Sequence, residues 1–407
     1  MKNKLEISYF VQNFGVFLIL LSYMKVDGIF GLGLVLGFLP LIYRYWYLKI
    51  KPDFLLLLPI KTLRFVLIYI FCIFLSAFMI KDNSTSLHEA AHILNYIRPF
   101  FLILFLANNK KEFYYSTLIA IMFVGFQWVF LSQNDLISYF RENKRVNLGP
   151  FDNQNIYVFY LNLLVPFMLV NILNKKISIR ILCRIATIYL LLANLTTISR
   201  GGIIAFSFMF LIYMFSILKT YKKRLLFTGV FAALTLMLFC FMNFKVIDRI
   251  EHTGPTKDLE RIVLWQSSIE MIKDNFWFGV GINNFNNEYR TKYISPLAKD
   301  ANLARAHNMW LTSLAETGII GTVGLFALMY HFATFSFRNR SNNGECKFNL
   351  AIFLAHSGML LNSLVDDLWV DQYIRIFWCL WAVAVSEASF CKAKDAIINN
   401  NHEVMKR

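Results

Sequence analysis

The sequence predicts an all-α polytopic membrane protein of about 12 transmembrane helices, with one large extracytoplasmic loop between the ninth and tenth spans. Three observations carry that reading. Hydrophobic residues make up 57% of the 407, with 41 Phe and 19 Tyr against 16% charged residues, and the mean hydropathy is +0.51. A soluble fold could not hide that much apolar surface. Largely uncharged stretches recur, about as long as the roughly 20 residues a helix needs to cross the hydrocarbon layer with its own backbone satisfied. Finally, Lys and Arg gather in alternate short connections, whereas most acidic residues and two long polar stretches fall in the others, as the positive-inside bias expects.

Taken in order, the spans fall near 8–24, 28–48, 65–80, 91–107, 113–131, 156–173, a seventh ending near 198, then 202–218, 225–243, 308–335, 348–365 and 372–388. The basic connections NNKKE, NKKISIR, KTYKKR and FRNR fall on one side, placing both termini in the cytoplasm. The connection from Arg44 to Arg64 is also basic and encloses an apolar LLLLPI, a candidate interfacial segment. The chain reads as one integral-membrane domain over residues 1–407, with a smaller outer loop at 132–155 and a large one at 245–306. No small-residue cleavage site follows the first apolar run, which reads as a retained span and not a signal peptide.

Composition also removes function classes. The formal charge of +16 lies largely in inter-span connections, so the expectation is no nucleic-acid partner. Six cysteines, at 72, 183, 240, 346, 379 and 391, form no CxxC or Cys/His cluster, so neither a disulfide framework nor a metal site is expected. No Walker-type glycine loop is present, and no repeat suggests inverted halves of the transporter kind. No cofactor is expected. A bundle with one sizeable water-exposed module places its chemistry there, so the large loop is where function is sought.

Arg200 sits in NLTTISRGGIIAF at the junction of two spans, where Gly201 and Gly202 would let the backbone turn tightly and a bulky ligand approach. It reads either as an interfacial arginine ending a helix or as a phosphate clamp. Arg261 opens DLERIVLWQSSIEMIKDNFWFG, where apolar residues at 262, 265, 269 and 272 predict an amphipathic helix on the outer membrane surface. The GVG that follows lacks the context of a nucleotide loop and reads as a reversal back toward the bundle. Arg305, His307 and Asn308 mark the re-entry, LARAHNMWLTSLAETGIIG. A histidine there reads as structural, as a hydrogen-bonding group for phosphate or glycan, or as an acid–base group for a sugar hydroxyl. Glu316 stands about 13 Å further along a continuous helix at ~1.5 Å per residue, out of reach of His307 unless that helix is broken.

Asp366, Asp367, Asp371 and Arg375 close the chain's polar set. Asp367, Asp371 and Arg375 share a face if this turn is helical and would then form an ion network, with orientation of the site's arginine or histidine as the other reading. Arg141, Lys144 and Arg145 in the smaller loop would attract an anionic lipid-linked substrate or phospholipid headgroups, and Asp152, Asn153 and Asn155 would bind sugar hydroxyls or cap the next span.

In their order and placement, SRGG, ERIVLW, FGVGINNF, RAHNMWLTSLAETGIIG and the closing aspartate/arginine hairpin resemble the bacterial O-antigen ligase and O-antigen polymerase superfamily, over roughly residues 149–381. The resemblance implies a GT-C-like helical membrane fold in the bacterial inner membrane and an active site facing the periplasm. It implies a metal-independent glycosyltransferase without cofactors, using an undecaprenyl-diphosphate-linked oligosaccharide donor. The acceptor would be another lipid-linked glycan in a polymerase or lipid A-core in a ligase, with membrane lipids and a chain-length regulator as further partners. Carried over by similarity, Arg200, Arg261 and His307 would be catalytic. Arg305, Asn308, Arg141, Arg145, Asn155, Asp371 and Arg375 would contact substrate. The GPFDNQN and FGVGINNF stretches resemble polymerases more than ligases. A flippase would be expected to show two related halves, and a protein-glycosylating relative a larger outer domain.

Overall fold

The computed structural model describes residues 2–23, 28–50, 59–80, 84–108, 110–142, 154–197, 199–218, 220–229, 257–298, 300–340, 347–367, 369 and 371–406, with backbone alone at several helix ends. The described residues contain helices and no strand. In order they are α1 (Lys2–Tyr23), α2 (Phe30–Trp46), α3 (Ile60–Met79), α4 (Ser84–Leu106), α5 (Lys111–Glu142), α6 (Gln154–Leu169), α7 (Ile177–Thr196), α8 (Arg200–Ile217) and α9 (Lys257–Asp274). The short α10 (Phe285–Glu288) runs into a π-turn at Tyr289–Tyr293, followed by α11 (Met309–Asn339), α12 (Phe348–Asn362) and α13 (Asp371–Lys406). Seven helices are long and apolar enough to cross a membrane, and α2, α6, α8 and α12 are shorter apolar helices. These match eleven of the expected spans; of the expected ninth, near 225–243, the described residues include only the helical 225–229, and 230–243 lie outside them. α5 continues to Glu142, so the first part of the smaller polar stretch is helix and not loop.

α11 packs on α3, α13 on α4, and α12 on both α6 and α8. At the centre, Phe332 of α11 stacks within 4.0 Å of Trp381 and 5.4 Å of Trp378 on α13, centroid to centroid. Phe100 of α4 completes the group, 5.5 Å from Trp378. Such tilted and edge-on contacts add roughly 0.5–1.5 kcal/mol each beyond burial. The outward faces stay apolar, with Phe71, Leu192, Phe326 and Tyr330 all more than half exposed, as lipid-facing surfaces require.

Polar pairs lock particular helices together. Asn194 of α7 donates to Asn162 Oδ1 of α6 at 2.6 Å, and Asn162 donates to the Gly202 carbonyl of α8 at 2.9 Å. That chain ties three helices at the start of α8. In the first hairpin, Arg44 of α2 hydrogen-bonds Ser8 and Gln12 of α1, and Gln12 in turn donates to the Leu106 carbonyl at 2.7 Å. In both groups the buried side-chain donors thus find acceptors away from water.

Candidate functional site

The site is organised by the turn that ends α12, residues 362–367. α8 begins against it. Ser199 caps α8 by accepting from the Gly202 amide at 3.3 Å, and its hydroxyl donates to Asn155 Oδ1 at 3.0 Å. A Cβ on Gly201 would stand 2.7 Å from Asn362 Oδ1, and one on Gly202 would fall on Val158. Neither glycine has a positive φ. The two glycines therefore serve close helix packing, and neither takes the left-handed conformation of a tight glycine turn. Arg200 heads α8 beside this turn; its side chain lies outside the described residues. Asn155 is the partner of that cap, which gives it a positioning place in the site.

The large loop arrives from the other side. The buried face of α9 is Leu264, Ser267, Ser268 and Met271, while Ile262 is 50% and Ile269 43% exposed. The expected stripe at 262, 265, 269 and 272 thus divides, with Ile262 and Ile269 facing outward and Trp265 and Ile272 part-buried. α9 contacts α11, with Leu264 and Met271 in one apolar cluster with Ala315, and the Trp265 indole donates to the Ala306 carbonyl at 2.9 Å. This bond fixes α9, and with it Arg261 one turn earlier, next to the re-entry strand of the loop.

At re-entry the backbone turns left-handed at His307, with φ 49°. A non-glycine residue in that region is held there by its surroundings. Asn308 supplies one restraint, because its Oδ1 accepts from the amides of Trp310 and Leu311 at 3.0 and 3.1 Å while its Nδ2 donates to the Leu364 carbonyl at 2.9 Å. The Met309 amide donates to the Ser363 carbonyl at 3.0 Å. Asn308 is thereby occupied as the N-cap of α11 and as a clasp on the turn, and acts on the site by position.

His307 Nδ1 then lies 3.1 Å from Asp366 Oδ1. Asp366 is buried, and the same oxygen accepts the Asp367 amide at 2.9 Å. Burial pushes the Asp366 carboxyl upward, but the His307 hydrogen bond and charge, the Asp367 amide and Arg261 together hold it below the ordinary carboxylate value. An ionised Asp366 accepts from Nδ1–H and leaves the Nε2 lone pair free. Position 366 gave no sequence signal that singled it out from its acidic neighbours.

The neighbouring aspartate faces elsewhere. Asp367 Oδ2 lies 3.9 Å from Arg305 Nε, and burial outweighs that charge and raises the Asp367 carboxyl above its usual value. Of the expected set, Asp371 and Arg375 lie one turn apart on α13, and Asp367 lies outside that helix. Asp367 precedes α13 and turns to Arg305, whereas the Arg375 guanidinium stands 5.0 Å over the Tyr96 ring. Asp371 contributes its backbone to α13; its side chain, and those of Arg141 and Arg145, lie outside the described residues.

A second junction fixes the loop's far end. Gly318, with φ 62° and ψ −168°, breaks α11, and the FGVG segment fills the break. Val280 and Gly281 donate to the Ala315 and Glu316 carbonyls at 2.8 and 3.0 Å, and Ile319 donates to the Phe276 carbonyl at 2.9 Å. A Cβ on Gly279 or on Gly318 would stand 2.4 Å from the opposing backbone. The GVG turn is therefore a backbone splice into α11. The break also lets the buried Glu316 carboxylate reach the amides of Asn283 and Phe285 and face Arg305 and Asp367.

The arrangement defines a class: a helical membrane protein whose polar loop delivers a carboxylate-oriented histidine to a bundle end that also carries arginines. Residues 185–326 match the family model described as O-antigen ligase, and this match supports membership of the O-antigen ligase and polymerase superfamily. The matched segment contains Arg200, Arg261, Arg305, His307 and Asn308, while Asp366 lies beyond it. No curated protein matches the chain.

Proposed function

We propose that the chain is a surface-polysaccharide polymerase of the O-antigen or capsule type in the bacterial inner membrane. In this reading it moves a glycan from undecaprenyl diphosphate to a hydroxyl of another lipid-linked repeat unit on the periplasmic face, without metal or cofactor. The observation that carries the proposal is the 3.1 Å His307–Asp366 pair within a segment group that also carries Arg200 and Arg261. His307 Nε2 takes the proton of the attacking hydroxyl as its oxygen bonds to the anomeric carbon. The bond from that carbon to the diphosphate oxygen breaks, and the negative charge growing on the diphosphate falls to the guanidinium groups of Arg200 and Arg261. Asp366 is a positioning residue, since it touches His307 and not the substrate. The activated donor supplies the driving force, so no nucleotide is needed outside the cytoplasm.

Arg141, Arg145, Asn155, Asp371 and Arg375 are proposed as substrate-side residues around this centre, and a chain-length regulator as a protein partner. The second reading is a ligase, with lipid A-core as acceptor, the activity after which the matched family is described. Deletion of the gene followed by surface-glycan analysis separates the two. Single repeats on the lipid core support the polymerase, full-length chains stranded on undecaprenyl diphosphate support the ligase, and an unchanged surface glycan would sink both.

A further inference from the structure

A cavity of about 180 Å³ lies beyond the turn, between α3, α4, α11 and the start of α13. His307 and Arg261 are not in its wall. Its charged lining is Glu89, Glu316 and Asp367 against a single guanidinium, Arg305. Three carboxyl groups facing one cation make a poor host for a diphosphate. They are equally unsuited to a shared divalent ion, because no group of three or more His, Cys, Asp or Glu among the described residues is placed to hold a metal. A ligand rich in hydroxyl groups fits this lining instead. Carboxylates accept two hydroxyls at once, and the cavity also presents Tyr69 and Trp369, aromatic surfaces that suit the apolar C–H side of a pyranose ring, beside Tyr96, which lies under the Arg375 guanidinium. The Trp369 indole donates to the Tyr69 hydroxyl at 3.1 Å, so two of these rings are held in fixed relation before any ligand arrives. Preformed polar and aromatic walls of this kind are characteristic of ligand sites.

The 362–367 turn connects this cavity to the proposed reaction centre. Its first residue packs against Gly201, beside Arg200, and its last carboxylate, Asp367, is in the cavity wall. The His307–Asp366 pair stands between, one residue from Asp367 and two from Arg305. We infer that this acidic, aromatic cavity binds a sugar ring of the acceptor glycan, leaving the phosphate-bearing donor to the arginine side of the turn. The inference rests on the glycosyl-transfer reading above and adds the place of the acceptor to it.

The test uses the full chain in lipid nanodiscs and, as probe, phosphate-free repeat-unit oligosaccharide released from the host's surface glycan by mild acid. Binding is read by saturation-transfer NMR, and transfer by steady-state rates with donor and acceptor varied separately. Glu316→Gln is expected to weaken oligosaccharide binding at least about fivefold and to raise the acceptor KM by a similar factor while the donor KM stays constant. Glu89→Gln, a part-exposed rim position whose substitution leaves the α11 splice untouched, is expected to act in the same direction and covers the case in which the Glu316 variant does not fold. His307→Ala should lose transfer but bind oligosaccharide as the wild type does. Absence of saturable binding to the wild type, normal binding by Glu89→Gln, or a rise in donor KM in place of acceptor KM would overturn the inference. Retained transfer by His307→Ala would instead sink the proposed chemistry, and oligosaccharide binding lost in Glu89→Gln would still stand for the cavity.

Discussion

His307 Nδ1 sits 3.1 Å from Asp366 Oδ1, across 59 residues of sequence. The pair is assembled by two unrelated pieces of backbone. One is the left-handed residue at the loop's re-entry, and the other is the turn that ends α12. Asp366→Asn keeps the shape but replaces an acceptor-only oxygen pair with an amide that can favour the other imidazole tautomer. Transfer should fall on the order of 10²-fold or more, as loss of oriented general-base catalysis implies. The double variant with His307→Ala should be no slower than His307→Ala alone, because the two act as a unit. Additive losses in purified protein would show that Asp366 acts independently.

Arg200 and Arg261 are expected to act in the transition state. Alanine at either position should lower the transfer rate by roughly 10²–10³-fold, the range seen when one oriented donor to a developing anion is removed. Lysine should restore only part of it, since an ammonium cannot make the bidentate contact. A wild-type rate from folded Arg200→Ala and Arg261→Ala protein would remove the clamp.

The splice at Gly279 and Gly318 predicts a stability effect. Both have positive φ, at 73° and 62°, and an added Cβ at either meets backbone at 2.4 Å. Alanine at either site should cost about 2 kcal/mol or more, with a lowered melting temperature in detergent. Because both changes strain one junction, the double variant should lose less than the sum. Melting curves that match the wild type would mean the junction yields without cost.

Asn308 provides a graded case. Asn308→Asp keeps the cap acceptor but loses the Nδ2 donor to the Leu364 carbonyl, whereas Asn308→Ala loses both. The alanine variant should lose roughly 0.5–2 kcal/mol, and the aspartate variant less. Transfer should follow the same order if Asn308 works by holding His307, and a rate loss in Asn308→Asp equal to that in Asn308→Ala would put the weight on the clasp to the turn.

The pH dependence follows from Asp366. Its folded pKa is depressed, so its contribution to stability is complete above its unfolded value, about 3.9 for an ordinary aspartate, and is lost as pH falls through the lower folded value. The stability gap between wild type and Asp366→Asn should therefore be full at neutral pH and shrink toward pH 3. Thermal melts across that range check it, and a gap that grows on acidification would reverse the assigned direction.

The membrane architecture was legible from hydropathy because crossing a bilayer imposes a local rule on each roughly 20-residue stretch. α1 to α8 and α11 to α13 fall where that rule puts them. Other expectations depended on what packs against what. Of the α9 stripe, Ile262 and Ile269 face out, and the face that packs carries Leu264 and Met271. The glycines of SRGG admit Val158 and Asn362 and take no left-handed conformation. The aspartate–arginine network assumed a helix that starts too late to include Asp367.

By itself, then, the sequence determined a many-span helical bundle, a large polar loop and a short set of arginines with one histidine, all features written in neighbouring residues. Tertiary structure alone decided that Asp366 serves His307 while Asp367 serves Arg305. It also decided that GVG closes a break in α11. The reason is physical: adjacent aspartates are chemically alike, and their roles separate only when a turn aims one carboxylate at an imidazole and the other at a guanidinium. Likewise a glycine pair reveals a splice only when two distant backbones meet at a distance that excludes a Cβ.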